Sequence, residues 1–192
     1  MFTRVLILGH SFIKRLYKDI LNRWKPNLVQ HFNLRYAGVL VSFLGFPGVK
    51  IDRLLEDTQN RLRNEMKRFP PEIVVLQIGG NDLDGFNFDV SVYMEKVRLC
   101  IGILHTTYHV KKVVVCEIFL RLSLTDSNHT VYHHGKYLID QYFYLGFSDH
   151  PSVSFWYHKS RLTAQEKLFM SDGIHLNVEG TRRVFKSLRG VL

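Results

Sequence analysis

The chain has 192 residues, a length typical of one domain, and its 46% hydrophobic residues can form one sizeable core. Two cysteines are too few for a secreted disulfide scaffold, and no apolar stretch is long enough to cross a bilayer. The N-terminus leads directly into the first predicted strand and leaves no room for a signal peptide. We therefore expect a single cytoplasmic domain over residues 1–192. Its formal net charge of +9 calls for an anionic environment or partner without identifying it.

The first predicted elements are a buried strand and the helix that follows it. Residues 5–8 form an uninterrupted apolar run, which indicates a strand covered on both faces. Apolar residues then recur every four positions, which predicts an amphipathic helix over residues 12–24. Ser11 lies between the two, where backbone N–H groups at a helix start are free to bind an anion. A serine in this position is commonly a plain helix cap, so its position alone does not make it a nucleophile.

The alternation of buried strand and helix continues along the chain. The further predicted elements are a strand within residues 36–44, a long amphipathic helix over 49–69, a strand at 73–78, a helix over 91–108, a strand at 113–119, an irregular substrate-side loop over 120–134, a helix over 137–145, a strand at 153–157 and a basic helix over 177–189. Five such repeats imply a three-layer α/β/α sandwich around a five-stranded parallel sheet. In open sheets of this kind, sites form beyond the carboxyl ends of the strands.

Four short motifs lie at positions that matter in such a sheet. Gly9-His10-Ser11 follows the first strand, Gly48 follows the second, Gly79-Gly80-Asn81-Asp82 follows the third, and Asp172-Gly173-Ile174-His175 precedes the last helix. Because parallel strands end at one edge of the sheet, we expect the first three motifs to lie close together. Taken singly, each also has a plain structural interpretation: a helix cap, a turn glycine, an Asx-turn or an ordinary exposed histidine.

In their order and spacing, the four motifs resemble those of the SGNH hydrolases, the GDSL-type lipase and esterase family, across nearly the whole chain. The resemblance implies the flavodoxin-like SGNH hydrolase fold and a serine esterase activity that uses no metal or other cofactor. It implies that Ser11 is the nucleophile, His175 the general base and Asp172 the partner of that base. The oxyanion hole would consist of the backbone N–H groups of Ser11 and Gly48 and the side-chain amide of Asn81.

The chemistry of these residue types agrees with the resemblance. A serine hydroxyl becomes a good nucleophile when a histidine takes its proton, and a carboxylate three residues before that histidine can fix its tautomer. The implied substrate is a small ester with a short acyl chain such as acetyl, or a lipid ester. Aromatic residues near strand ends are often core residues, but four apolar residues are candidates for the acyl pocket. They are Phe86, Phe119, Leu120 and Trp156.

Two groups of histidines need separate interpretation. His10 stands where the family usually has an aspartate between glycine and serine, so the hydrogen bonding behind the nucleophile must differ. We expect its side chain to point away from the site and to pack locally. His129, His133 and His134 lie close together in sequence but lack cysteine or carboxylate companions at ligand spacing, so we interpret them as solvent-facing or substrate-rim residues and predict no metal site.

An alternative function is a non-catalytic or dual-role module that binds nucleic acid or anionic phospholipid through its basic surface. The chain also resembles the esterase domains in the first open-reading-frame products of LINE-type retrotransposons, in which hydrolysis and nucleic-acid binding coexist. Most basic residues lie on predicted helix surfaces, where they are commonly just solvated. The presence of Ser11, Asp172 and His175 argues against a purely non-catalytic role.

Overall fold

The protein forms one parallel sheet with helices on both faces. The structure is a computed structural model that describes residues 2–22, 30–56, 60–84, 88–124, 126–158 and 165–192. All five strands are parallel, and the sheet order is β2-β1-β3-β4-β5, as expected for this fold class. The strands are β1 (Thr3–Gly9), β2 (Val39–Gly45), β3 (Ile73–Gln77), β4 (Lys112–Cys116) and β5 (Val153–Trp156).

In the described ranges, six α-helices cover the two faces of the sheet. They are α1 (Ser11–Asn22), α2 (Ile51–Glu56), α3 (Arg61–Arg68), α4 (Val90–Thr106), α5 (Asp126–Gly146) and α6 (Val178–Arg189). Successive residues of β1 point to opposite faces, so Val5 and Ile7 pack in a core with α1 and α6, whereas Leu6 and Leu8 pack in a second core with α2, α3, α4 and α5. The predicted three-layer sandwich is therefore confirmed. None of the helices in the described ranges is long and apolar enough to cross a membrane.

Strand β1 lies between β2 and β3, so the loops that carry the first three motifs follow three neighbouring strands. At its carboxyl end, Gly9 pairs with Gly45 of β2 on one side and with Gln77 of β3 on the other. A Cβ at Gly9 would lie 2.4 Å from the carbonyl oxygen of Gln77, so only glycine allows β1 and β3 to approach this closely. The backbone N–H of Phe46 then donates to the Gly9 carbonyl at 2.8 Å, which ties the loop after β2 to the end of β1.

The long amphipathic helix predicted over residues 49–69 is wrong. The structure has two shorter helices, α2 and α3, and Asn60 precedes α3 with a left-handed backbone, φ 54°. Residues 56–61 contain no apolar side chain, so a continuous helix would bury nothing along this stretch. Asparagine also tolerates positive φ better than most residues, which favours a break at this position.

The predicted substrate-side loop over residues 120–134 is also wrong for the part after residue 125. Helix α5 begins at Asp126 and runs for 21 residues, well before the helix that the sequence predicts over residues 137–145. Tyr132, Ile139 and Phe143 are buried at helical spacing along it, but polar and histidine residues between them hide this periodicity. Strand β4 ends at Cys116, three residues earlier than expected, so the irregular segment starts closer to the sheet.

Candidate active site

Ser11 lies at the start of α1, immediately beyond strand β1. The carbonyl of His10 accepts hydrogen bonds from the backbone N–H groups of Ile13 and Lys14 at 3.1 and 3.3 Å, which closes the first turn of the helix. Ile13 is fully buried, and this anchors the turn against the sheet. The half-buried Ser11 and His175 both line one cavity of about 670 Å³.

The C-terminal motif forms a tight turn in which an aspartate holds a histidine. Nδ1 of His175 lies 2.7 Å from Oδ2 of Asp172. The other carboxylate oxygen of Asp172 accepts hydrogen bonds from the backbone N–H groups of Ile174 and His175, at 2.9 and 2.8 Å. Both carboxylate oxygens therefore accept hydrogen bonds within the turn, and the imidazole is fixed in direction.

The charge state of Asp172 decides which nitrogen of His175 carries the proton. Partial burial opposes ionisation, but the hydrogen bonds from His175 and Ile174 outweigh it and lower the pKa of Asp172 to about 2. An ionised carboxylate can only accept hydrogen bonds, so Nδ1 of His175 must carry the hydrogen that it shares with Asp172. In the neutral imidazole, Nε2 is then left with a free lone pair, as a general base requires.

The turn that carries this pair is held mainly by its own backbone. The N–H of Met170 donates to the carbonyl of His175 at 2.7 Å, and Phe169 and Leu176 form an isolated antiparallel bridge. One further bond, from the Leu122 N–H to the Gly173 carbonyl at 2.7 Å, joins the turn to the segment after β4. The base is thus carried by a turn outside the sheet, whereas Ser11 directly follows β1, which is paired with a strand on each side.

Gly48 and Asn81 are joined through the loop after β2. Gly48 has a left-handed backbone, φ 70°, and a Cβ built on it would meet no atom within 4 Å, so it borders open space. The next carbonyl along the chain, that of Val49, accepts a hydrogen bond from Nδ2 of Asn81 at 2.9 Å. This bond uses one of the two amide hydrogens of Asn81 and leaves the other available to a substrate oxygen.

A buried arginine fixes the other end of the Asn81 amide. Nη2 of Arg121 donates to Oδ1 of Asn81 at 2.7 Å, and Nη1 donates to Oδ2 of Asp84 at 2.6 Å. The Arg121 side chain is only 6% exposed, and its guanidinium lies 5.7 Å from the ring centre of Tyr132. The sequence analysis missed this residue. The available signal was an arginine in the segment that follows β4, but nothing in the sequence shows that this arginine contacts Asn81.

His10 is buried beside this network. Its ring centre lies 5.1 Å from that of Phe12, and its Nδ1 has no hydrogen-bond partner among the described residues. Burial, together with the nearby charges of Arg121 and His175, lowers the pKa of His10 to about 3, so the ring is neutral. His10 thus packs locally, as the sequence analysis expects, but it lies beside Arg121 and Gly80 of the third motif and not away from the site.

The three predicted acyl-pocket residues that the structure describes do not line the cavity. Phe119 is buried with its ring edge-on to that of Phe12, and Trp156 donates from Nε1 to Oγ of Ser187 at 3.1 Å, in the second half of α6. Leu120 is half-buried, and Phe86 lies outside the described residues. None of Phe119, Leu120 and Trp156 lines the cavity that contains Ser11. Phe119 and Trp156 belong instead to the apolar core beneath α1 and α6, which is the common fate of aromatic side chains near strand ends.

The cavity walls consist of residues that the sequence analysis did not assign to the site. Helix α1 contributes a polar wall on the side of Ser11, and the turn before α6 together with the first turn of that helix contributes a mainly apolar wall. The lining residues besides Ser11 and His175 are Lys14, Arg15, Lys18, Asp19, Asn22, Pro47, Met170, Leu176, Asn177, Val178 and Thr181. The spacing of Lys14 and Lys18 from Ser11 along one predicted helix was the signal that could have found the first wall.

The histidine-rich segment now belongs to helix α5. The ring centres of His129 and His133 lie 4.0 Å apart, one helical turn from each other. Across the described ranges, no group of three or more histidine, cysteine, aspartate or glutamate side chains is arranged to hold a metal ion. The residues of the candidate site described above are a serine, a histidine–carboxylate pair and hydrogen-bond donors.

Comparison with known proteins agrees with this architecture. No family model and no curated protein sequence matches the chain. Among solved structures, a Streptococcus pneumoniae protein is similar at 20% identity and TM-score 0.73, with 100% of this chain and 84% of that one covered. The acetyl xylan esterase AlAXEase is similar at 18% identity and TM-score 0.67, with 98% and 99% covered. A GDSL-like lipase from Bacteroides thetaiotaomicron is similar at 14% identity and TM-score 0.66, with 98% and 87% covered. The chain therefore has the SGNH hydrolase fold, the fold of GDSL-like lipases and acylhydrolases.

Proposed function

We propose that the protein is a serine esterase that hydrolyses small carboxylic esters through Ser11, His175 and Asp172. The observation that carries the proposal is that His175, which is bonded to Asp172 through Nδ1, lines the same cavity as Ser11. A histidine held by an ionised carboxylate and a serine at a helix start are the parts that acyl transfer needs. Solved structures with this fold include an acetyl xylan esterase and a GDSL-like lipase, which favours ester substrates.

The reaction would proceed in two stages. Nε2 of His175 takes the proton of the Ser11 hydroxyl while Oγ attacks the ester carbonyl, and the charge moves to the carbonyl oxygen. The backbone N–H groups of Ser11 and Gly48 and the free amide hydrogen of Asn81 would stabilise that oxyanion, each by about 3 kcal/mol. The alcohol leaves with the proton from His175, and a water activated by the same nitrogen then releases the acid from the acyl-enzyme.

The test uses one variant and two readouts. We expect the protein to hydrolyse p-nitrophenyl acetate and to react covalently with a fluorophosphonate probe, and Ser11→Ala to abolish both. Ser148→Ala is a matched control, because that hydroxyl bonds only near the end of α5, to Leu145 and Asp149. The proposal would be refuted if the wild-type protein hydrolysed no p-nitrophenyl ester of any chain length and did not react covalently with the fluorophosphonate probe.

The binding-module alternative rests on the overall charge of +9. Several of its cations are engaged in ion pairs on the surface: Lys111 with Glu72 at 2.8 Å, and Arg182 and Arg183 with Glu179 at 3.4 and 3.3 Å. Pairing of this kind reduces the positive potential that a polyanion would meet. Nucleic-acid or anionic-lipid binding, and the resemblance to retrotransposon esterase domains, stay predictions. A salt titration tests the first, because phosphate contacts make affinity fall steeply with salt.

A further inference from the structure

We propose that the ester substrate carries an anionic group, a phosphate or a carboxylate, and that Lys14 and Lys18 of α1 bind it in the cavity. This inference rests on the proposed function, since it names the class of ester that the site would accept. It follows from where the cationic side chains lie relative to Ser11, from their lack of partners among the described residues and from the nature of the opposite wall.

The two lysines lie on the same side of α1 as the candidate nucleophile. Lys14 and Lys18 are three and seven residues beyond Ser11 on the same helix, and all three residues line the cavity. With a rise of about 1.5 Å per residue, the lysines lie about 4.5 and 10 Å from Ser11 along the helix axis. An anionic group several bonds from the ester carbonyl would therefore reach one or both ammonium groups while the carbonyl lies at Ser11.

The two ammonium groups have no carboxylate partner within the described part of the chain, although other surface lysines do. Lys96 pairs with Asp52 at 2.8 Å, and Lys111 pairs with Glu72 at the same distance. Asp19 is the single carboxylate among the described residues that line the cavity, so their contribution from α1 is positive overall. Two unpaired cations that face a cavity are a recognition feature for an anion, since no internal carboxylate has to be displaced.

The facing wall strengthens the attraction. Met170, Leu176 and Val178 present apolar groups across the cavity, and the Sδ of Met170 accepts a hydrogen bond from Nη1 of Arg15 at 3.3 Å. A cleft that is lined by charges of one sign and has walls of low dielectric constant focuses the electrostatic field on a bound ligand. Arg15 adds a third positive charge to this field, while its guanidinium reaches across to the opposite wall.

Two matched pairs of esters distinguish which side of the ester bears the anion. On the alcohol side, para-acetoxybenzenesulfonate is compared with the neutral para-acetoxybenzenesulfonamide. On the acid side, the mono-p-nitrophenyl ester of glutaric acid is compared with p-nitrophenyl pentanoate. For each pair, the measured quantity is the ratio of kcat/KM for the anionic ester to kcat/KM for the neutral one, which cancels differences in enzyme amount and folding.

Charge reversal at the two lysines gives the decisive comparison. We expect Lys14→Glu/Lys18→Glu to lower the ratio about tenfold in at least one pair, mainly through KM, and we expect the effect to shrink as salt is added. The control Lys67→Glu/Lys186→Glu changes the net charge equally on exposed helix positions outside the cavity and should leave both ratios unchanged.

The outcomes separate the two proposals. If the wild type hydrolyses the neutral esters but the lysine variant keeps both ratios within twofold, or if the control lowers them equally, the anionic-substrate proposal is overturned and the esterase proposal stands. If the wild type hydrolyses none of the four esters and Ser11 is not labelled, the proposed function fails and this inference fails with it.

Discussion

The guanidinium of Arg121 donates to the amide oxygen of Asn81 at 2.7 Å, across 40 positions of the sequence. Arginine has no acceptor atom, so the group that faces it must be the Oδ1 of Asn81, and the orientation of the amide is thereby determined. Its Nδ2 is then directed to the Val49 carbonyl, to which it donates at 2.9 Å. A buried positive charge on Oδ1 also polarises the amide, which makes its N–H groups stronger donors.

Replacement of Arg121 should therefore slow the reaction without weakening substrate binding in proportion. We expect Arg121→Gln to lower kcat by about 10- to 100-fold, the equivalent of about 1.5–3 kcal/mol for a hydrogen bond to a charged group, while KM changes little. Added guanidinium ion should restore part of the rate in this variant, because it can occupy the vacated space. Steady-state kinetics on p-nitrophenyl acetate measure both effects.

Asp84→Asn is the companion variant, because it removes the charge that pairs with Nη1 of Arg121 and keeps the bond to Asn81. Its effect on kcat should be several-fold smaller than that of Arg121→Gln. Equal losses in the two variants, with no rescue by guanidinium, would show that Arg121 acts only through the stability of the loop.

Asp172→Asn should leave the fold intact and remove most of the activity. The amide oxygen can still accept the two backbone N–H bonds, but an amide nitrogen that faces Nδ1 would favour the wrong tautomer of His175. We expect kcat to fall by about 10³-fold or more. Asp149→Asn, which changes an exposed carboxylate near the end of α5, is the matched control. A loss below tenfold in Asp172→Asn would contradict the assigned role.

Stability should fall as the pH is lowered from neutrality, because two buried histidines are neutral in the native state. Burial is the main cause that lowers the pKa of His10, and that of His158, from 6.5 to about 3. Between these values the unfolded chain binds more protons than the native protein, so the free energy of unfolding falls by about 1.4 kcal/mol per pH unit for each histidine. Asp82 acts in the opposite sense, since burial raises its pKa from 3.8 to about 6.

The contribution of His10 can be isolated by comparison with a variant. The slope of unfolding free energy against pH, measured by urea denaturation between pH 6 and 4, should be about 1.4 kcal/mol per unit shallower in His10→Asn than in the wild type. The contributions of His158 and Asp82 cancel in this difference. Parallel slopes would mean that His10 is already protonated in the native protein.

Gly9→Ala should destabilise the protein by about 2–3 kcal/mol. The new methyl group would lie 2.4 Å from the backbone oxygen of Gln77, and this oxygen cannot move without disturbing β3.

Gly102→Ala should have the opposite effect. Its methyl group would meet no atom within 4 Å in the middle of α4, so the substitution should stabilise by about 1 kcal/mol. Thermal unfolding of the two variants checks both signs, and destabilisation by Gly102→Ala would contradict the second.

The sequence predicts most of the fold because its strands are continuous apolar runs and its motifs lie where those strands end. Ser11, Gly48 and Asn81 follow three strands that pair directly, so the parallel sheet alone is enough to gather them. The helices were harder to predict where polar residues interrupt the periodicity. The segment that became the first part of α5 carries histidines between buried residues such as Tyr132, and its 3.6-residue period is weak.

The parts of the site that the sequence could not predict depend on contacts between distant loops. Arg121 reaches Asn81 only because the segment after β4 passes beside the loop after β3, and neither residue carries a local sign of the other. From the sequence alone, Lys14 and Lys18 look like ordinary solvated residues on a helix surface. Only the structure shows that they line a cavity together with the turn before α6. The aromatic residues Phe119 and Trp156 were wrongly assigned to the pocket, because apolar character alone does not distinguish a residue that lines a cavity from one in the core.

The two halves of the candidate site are attached to parts of the protein that should open at very different rates. Amide groups of β1 are bonded on both sides within the sheet, so their hydrogens should exchange with deuterium only when the whole molecule unfolds. The turn over residues 169–176 depends on a few bonds of its own, on one to Leu122 and on one from the Arg15 side chain to Met170. Its amides should exchange through small local fluctuations, which would displace the imidazole from the hydroxyl while the protein stays folded.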